Sequence, residues 1–261
     1  MLLDVKNATL SFGGLTAVSD ATFHVNEHEI VSIIGPNGAG KTTIFNIITG
    51  LYKVDTGSAM FCGENIFDNK TPQQIAKLGI SRTFQNIRLF SNMRVIENVI
   101  TGSHIHSNYN IWDTIFRTKK YREEEKKHHQ EAVDIIDSIG LHDRMHTLAK
   151  NLPYGEQRKL EIARGMASSP KLLLLDEPAA GMNPQESHEL MEFIRYLRDI
   201  GYTILLIEHD MKVVMNISDR IYVFDHGKKI AEGVPAEIAN NPEVIKAYLG
   251  EEQNDDSTEN N

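Results

Sequence analysis

Two rhythms of apolar residues run along the chain, and their order predicts an α/β protein. Residues 2–5, 8–11 and 21–25 cluster or alternate apolar side chains in the manner of short strands, with a turn at Gly13-Gly14. Ile30–Ile34 is apolar and rich in β-branched residues, which predicts a buried strand; helical spacing over 44–48 comes next and stops at Gly50. Residues 57–66 predict a further strand region. Thr71-Pro72-Gln73-Gln74 combines an N-cap threonine, a proline at the first helical position and a glutamine three residues on, so a helix starts there. Residues 81–85 are short and strand-like and end on Gln85, for which nothing local accounts.

From 95 to about 152 the spacing turns helical and charges multiply, above all over 121–139. This predicts a helical lobe inserted into the α/β core. Within it, Glu123-Glu124-Glu125-Lys126-Lys127 reads as a solvated helix face braced by pairs four apart. A helix opens at Leu152-Pro153-Tyr154-Gly155-Glu156-Gln157 and runs to about Ala167. Residues 171–178 form a buried strand that ends in two acids, and 184–197 are helical. A second buried strand at 202–207 ends in Glu208-His209-Asp210. A strand at 221–224 turns through Asp225-His226-Gly227 into a partner at 229–231, and 235–239 and 242–249 close the fold as short helices.

The 261 residues, 41% hydrophobic and 24% charged, suffice for a sizeable core, in one domain with lobes or in two small domains. The formal charge is -9, but Glu251, Glu252, Asp255, Asp256 and Glu259 lie in a tail that has no base and is expected to be disordered. The body is therefore at only about -4, which argues against a nucleic-acid partner held through its phosphates. Cys62 is the lone cysteine, as suits a reducing compartment. The first six residues lack the pattern of a secretory signal, and no apolar run approaches the roughly 20 residues of a membrane helix. His104, His106, His128 and His129 have no cysteine or carboxylate at ligand spacing and read as surface histidines.

One stretch declares chemistry. Gly35-Pro36-Asn37-Gly38-Ala39-Gly40-Lys41-Thr42-Thr43 fits G-x-x-x-x-G-K-[ST] and stands between a strand and a helix, the context that pattern requires. Its glycines let successive N–H groups turn toward a phosphate, and the helix start adds partial positive charge. Lys41 is placed to bridge β- and γ-phosphates, and Thr42 to join the shell of a Mg²⁺ ion. Asp176 and Glu177 sit at the carboxyl end of a buried strand, where ligands bind in open α/β sheets. His209 comes just after the next strand. Phe12, beside the glycine turn, is either a purine-stacking aromatic or a core residue.

In this order, residues 35–43, Gln85, 152–157, 172–177 and His209 resemble the ATP-binding subunit of ABC transporters, over nearly the whole chain to about Glu251. The resemblance implies a P-loop NTPase (RecA-like) core with an antiparallel β subdomain, covering 1–85 and 166–250, and an inserted α-helical subdomain at about 86–165. It assigns Phe12 to adenine stacking and Gln85 to the loop that links the γ-phosphate and Mg²⁺ to a membrane partner. Asp176 falls at the Mg²⁺-orienting acid, Glu177 at the general base and His209 at the γ-phosphate sensor. Tyr154, Gly155 and Glu156 fall in the signature that faces ATP on the opposite subunit. ATP and Mg²⁺ are the implied cofactors. Membrane permease subunits, a sister ATP-binding subunit or a second copy, and indirectly a solute-binding protein are the implied partners. The implied place is the cytoplasmic face of the cell membrane.

Ile111-Trp112-Asp113, residues 153–157, Ala180-Gly181-Met182-Asn183-Pro184 and the run 244–251 resemble the branched-chain amino-acid importers, in their LivG-type subfamily. Two departures from the wider family concern what the chain offers a partner. Pro153 replaces a serine and has neither hydroxyl nor N–H for a γ-phosphate, which removes a charge-assisted hydrogen bond of about 1.5 to 3 kcal/mol unless neighbouring amides compensate. Asn183 replaces an aspartate, so a cross-dimer charge contact becomes neutral. Both suit a heterodimer, with a homodimer left open. Urea or lipopolysaccharide transport and a non-transport ABC protein stay as alternatives, although neither the long coiled coils of repair ATPases nor a second cassette is seen.

Overall fold

The structure, a computed structural model, describes residues 1–107 and 109–255, the last seven through the backbone alone. β1 (Leu3–Phe12) and β2 (Leu15–Val25) form a hairpin across Gly13-Gly14, and β4 (Thr56–Phe61) and β5 (Glu64–Asn65) extend it into an antiparallel sheet, β2-β1-β4-β5. The expected pair of strands at 2–5 and 8–11 is one strand. Asn7 takes φ 51°, and the register with β2 shifts between Val5 and Ala8, so a bulge absorbs the polar interruption that the sequence shows. β2 likewise starts earlier than residue 21, because pairing with β1 holds its first half from Leu15 on.

The second sheet has six strands in the order β10-β9-β3-β8-β7-β6. β3 (Ile30–Ile34), β6 (Ile80–Arg82), β7 (Leu172–Asp176), β8 (Thr203–Ile207) and β9 (Arg220–Asp225) run parallel, and β10 (Lys228–Gly233) is an antiparallel edge. β3, β7 and β8 are buried at every position, as continuous apolar runs require when both faces are covered. Successive side chains of β7 serve two cores. Leu172 and Leu174 face the antiparallel sheet and α1 (Lys41–Ile48), whereas Leu173 and Leu175 face the helices on the other side. β6 is shorter than expected. Thr83 N–H still bonds the Leu174 carbonyl at 2.9 Å, but Phe84 and Gln85 leave the sheet.

α2 (Pro72–Leu78) starts with the capping box that Thr71 and Gln74 predict: Gln74 N–H donates to Thr71 Oγ1 at 3.3 Å and Thr71 N–H to Gln74 Oε1 at 2.8 Å. The helical lobe contains α3 (Val95–Ser103), α4 (Ile111–Ile115), α5 (Lys119–Ser138) and α6 (Tyr154–Met166), with α3 packed on both α5 and α6. α7 (Pro184–Asp199) covers the same face of the sheet, and α8 (Met211–Ile217), α9 (Pro235–Ala239) and α10 (Pro242–Asp255) close the β9 and β10 end. α10 runs past the expected stop at 249, so the tail is helical to Asp255; residues 256–261 of the expected disordered tail lie outside the described residues. Among the described residues no helix is long and apolar enough to cross a membrane.

His128 corrects a surface assignment. It is 7% exposed, because a spacing of four puts it on the packing stripe of α5 with Ala132 and Ile136.

The lobe is tied to the segment that follows β6 through a buried ion pair of α6. Arg158 of α6, fully buried, donates to Glu161 at 2.8 Å and to the carbonyls of Phe84 and Gln85 at 2.8 and 2.7 Å. The other Glu161 oxygen accepts Arg88 N–H at 2.9 Å. Removing one partner of such a pair strands a charge in the core. Arg158→Ala should therefore cost about 3 to 5 kcal/mol in urea denaturation, and the double change Arg158→Met with Glu161→Met markedly less.

Candidate active site

Four neighbouring strands, β3, β8, β7 and β6, bring their carboxyl ends to one edge, and the predicted residues leave the sheet there. After β3 the chain turns through Gly35 at φ 150° and Gly40 at φ 92°. A Cβ at Gly35 would lie 1.9 Å from the Phe224 carbonyl oxygen, and one at Gly40 2.4 Å from that of Ala17. Side chains are thus excluded at both positions by backbone, from β9 and β2 respectively. The loop is laced further by Ala39 N–H to Pro36 O and Gly227 N–H to Ala39 O, each 3.2 Å. Gly40 caps α1 without a side chain, which leaves the first amides of that helix to be met by an anion.

Lys41 is 8% exposed, and its Nζ donates to the Gly35 and Pro36 carbonyls at 2.6 and 2.7 Å. A cavity of about 330 Å³ is lined by residues 37–43, Leu15, Thr16, Ala17, Glu177 and His226. His226 was not anticipated; it sits in the β9–β10 turn, and only the fold brings that turn to the loop. A larger groove of about 640 Å³ opens elsewhere, among Lys77, His106, His128 and Lys171. None of residues 35–43 lines it, so chemistry and not size locates the candidate site.

Three catalytic candidates converge on one oxygen. Gln85 Nε2 donates to Glu177 Oε2 at 2.8 Å, and His209 Nδ1 lies 3.5 Å from the same atom. Glu177 has φ 45°, a left-handed conformation uncommon for a non-glycine residue, and its N–H bonds the Ile207 carbonyl at 2.9 Å, one position beyond the β7–β8 ladder. Directly behind stands Glu208, fully buried, accepting N–H bonds from Ala179 at 2.8 Å and His209 at 3.2 Å. Burial pushes its carboxyl above the ordinary carboxylate range despite those donors.

Asp176 is 4% exposed and pairs with Arg82 at 2.7 Å. Arg82 also donates to Asn46 Oδ1 at 2.7 Å and lies between the rings of Phe45 and Phe84, with centroids 5.4 and 5.2 Å away. Arg82 escaped sequence reasoning. The available signal was a lone charge in a segment otherwise fit for a buried strand.

Other predicted residues stand apart from the cavity. Phe12 does not line it; 47% exposed at the end of β1, it meets Tyr52 edge-on at 5.2 Å, so it is a surface aromatic and not a core residue. Pro153 is the N-cap of α6, with Tyr154, Gly155 and Glu156 as its first residues. Tyr154 Oη donates to the Ala180 carbonyl at 3.0 Å, and Glu156 is 3.8 Å from Arg144. Asn183 has a local task as well. It caps α7, accepting from Gln185 and Glu186 N–H at 3.0 Å each, while Glu186 accepts from Asn183 N–H at 3.1 Å.

The oxygen donors Thr42, Gln85 and Asp176, together with glycine-shaped loop and lysine, fit a magnesium-bound nucleoside triphosphate, since Mg²⁺ takes oxygen ligands and usually retains waters. A family model described as an ABC transporter matches residues 18–180, and one described as a branched-chain amino acid ATP-binding cassette transporter matches residues 228–254. The high-affinity branched-chain amino acid transport ATP-binding protein LivG of Salmonella typhimurium is 49% identical over 251 residues, covering 96% of this chain and 98% of that protein. LivG of Escherichia coli (strain K12) is 48% identical and BraF of Pseudomonas aeruginosa 46%, with the same coverage. Among solved structures, the ADP conformation of an ATP-binding cassette of an ABC transporter superimposes with a TM-score of 0.83 at 32% identity, covering 95% of this chain and 98% of that one. A nucleotide-free cassette gives 0.82 at 32%, with the same coverage. With the loop, the two acids and the histidine at one sheet edge, these likenesses leave one conclusion: the chain belongs to the ABC transporter family, among its ATP-binding cassettes.

Proposed function

We propose that this chain is the ATP-binding and ATP-hydrolysing subunit of an importer of branched-chain amino acids, working at the cytoplasmic face of the cell membrane. The convergence of Gln85 and His209 on Glu177 Oε2, beside the Lys41 loop, carries the catalytic half of the proposal. Likeness to LivG and BraF, whose names give the cargo, carries the other half.

The loop amides of 35–43 bind and neutralise phosphate oxygens, and Lys41 Nζ exchanges the Gly35 and Pro36 carbonyls for them. Phe12, with Tyr52 against its edge, offers a face to adenine. Thr42, Gln85 and Asp176 are the residues that would hold Mg²⁺, and Arg82 fixes the Asp176 carboxylate for that task. Bound there, Mg²⁺ supplies further neutralisation of phosphate charge. Glu177 Oε2 takes a proton from the attacking water, and its Gln85 and His209 neighbours fix its position. Tyr154, Gly155 and Glu156, at the exposed start of α6, face the nucleotide of a second subunit, either a sister chain or a copy of this one. Residues 86–95 and the helical lobe dock a helix of the membrane permease, and the solute-binding protein acts only through that permease.

Glu177→Gln should bind ATP as the wild type does, lower steady-state hydrolysis by about 100-fold or more, and accumulate an ATP-bound dimer on size-exclusion chromatography. Unchanged turnover would remove Glu177 from its role. Lys41→Ala should weaken ATP binding in a fluorescent-nucleotide titration by about tenfold or more, the loss of a charge-assisted hydrogen bond. For the cargo, the membrane proteins that co-purify with the tagged chain should sustain leucine, isoleucine or valine uptake in vesicles. Uptake of urea alone would overturn that assignment.

A further inference from the structure

The helical lobe brings together side chains that the sequence keeps apart. His104 ends α3 and begins the turn His104–His106, while Glu125 and His128 stand three residues apart on α5 and so share a face. One ligand-type atom from each of the three lies within 4.8 Å of the others. His104 Nε2 and Glu125 Oε1 are 3.5 Å apart, beyond a good hydrogen bond. That spacing matches the roughly 3.4 Å edge of a tetrahedron whose ligands sit about 2.0 to 2.1 Å from a central zinc ion. His128 is buried, yet its Nδ1 has no hydrogen-bond partner. A buried, unsatisfied imidazole nitrogen calls for an explanation. Glu125 is further held by Tyr109, whose hydroxyl donates to Oε1 at 2.8 Å, the outer support that metal-binding carboxylates have.

We propose that His104, Glu125 and His128 form a site for a divalent transition ion of the zinc class. Two imidazoles and a carboxylate suit zinc over magnesium, and water completes the shell on the side where His104 is exposed and Glu125 half-buried. The ion ties the end of α3 to the middle of α5. Its task is to stiffen the lobe.

The test uses the full chain, without nucleotide and in excess Mg²⁺, titrated with ZnCl₂ by calorimetry and with CoCl₂ by visible absorption. The wild type should bind one equivalent with this site's signature. His104→Ala, an exposed substitution that spares the fold, should weaken it at least tenfold and abolish the cobalt bands; Glu125→Gln should also weaken it. Saturating Zn²⁺ should raise the wild-type Tm by about 5 °C and leave that of His104→Ala unmoved. Basal ATP binding should be unchanged in both variants. Absence of a saturable equivalent in the wild type, or binding by His104→Ala equal to it, overturns the proposal.

Discussion

A parallel sheet covered on both faces has little room for polar side chains along its length, so they gather where its strands end. Here β3, β8, β7 and β6 are neighbours, and each leads toward a candidate segment: the 35–43 loop, Glu208 and His209, Glu177, and, two residues further on, Gln85. The register between β7 and β8 sets the geometry, because Asp176 lies opposite Ile207 and the next amide, Glu177 N–H, still bonds that carbonyl. A one-residue slip would exchange which core each β7 leucine serves and part Glu177 from His209 together. Core and chemistry thus share one constraint.

Much of this was legible from the sequence because it is local. The loop 35–43 needs glycine where backbone from β9 and β2 crowds it and a lysine at a helix start, conditions written into consecutive residues. The acids after 172–175 announce themselves because carboxylates seldom end an apolar run without a task. Thr71 and Gln74 carry their own capping geometry.

What escaped depends on meetings through space. Arg82 has no sequence neighbour that explains it; Asp176 and Asn46, its partners, are 94 and 36 positions away. His226 reaches the cavity only because β9 lies beside β3. His104 lacked a carboxylate at ligand spacing in the sequence, and the helix of Glu125 supplies one. The bulge at Asn7 and the early departure of the chain after Arg82 were missed because strand pairing overrides the local pattern, sustaining polar residues in one case and releasing Phe84 in the other.

Arg158 holds the carbonyls of Phe84 and Gln85 from within the helix that begins at Tyr154, and it has no solvent to exchange with. Any tilt of that helix must drag the glutamine backbone with it. The exposed start of that helix and the amide resting on Glu177 are consequently geared as one lever, and a push at either arm is felt at the other.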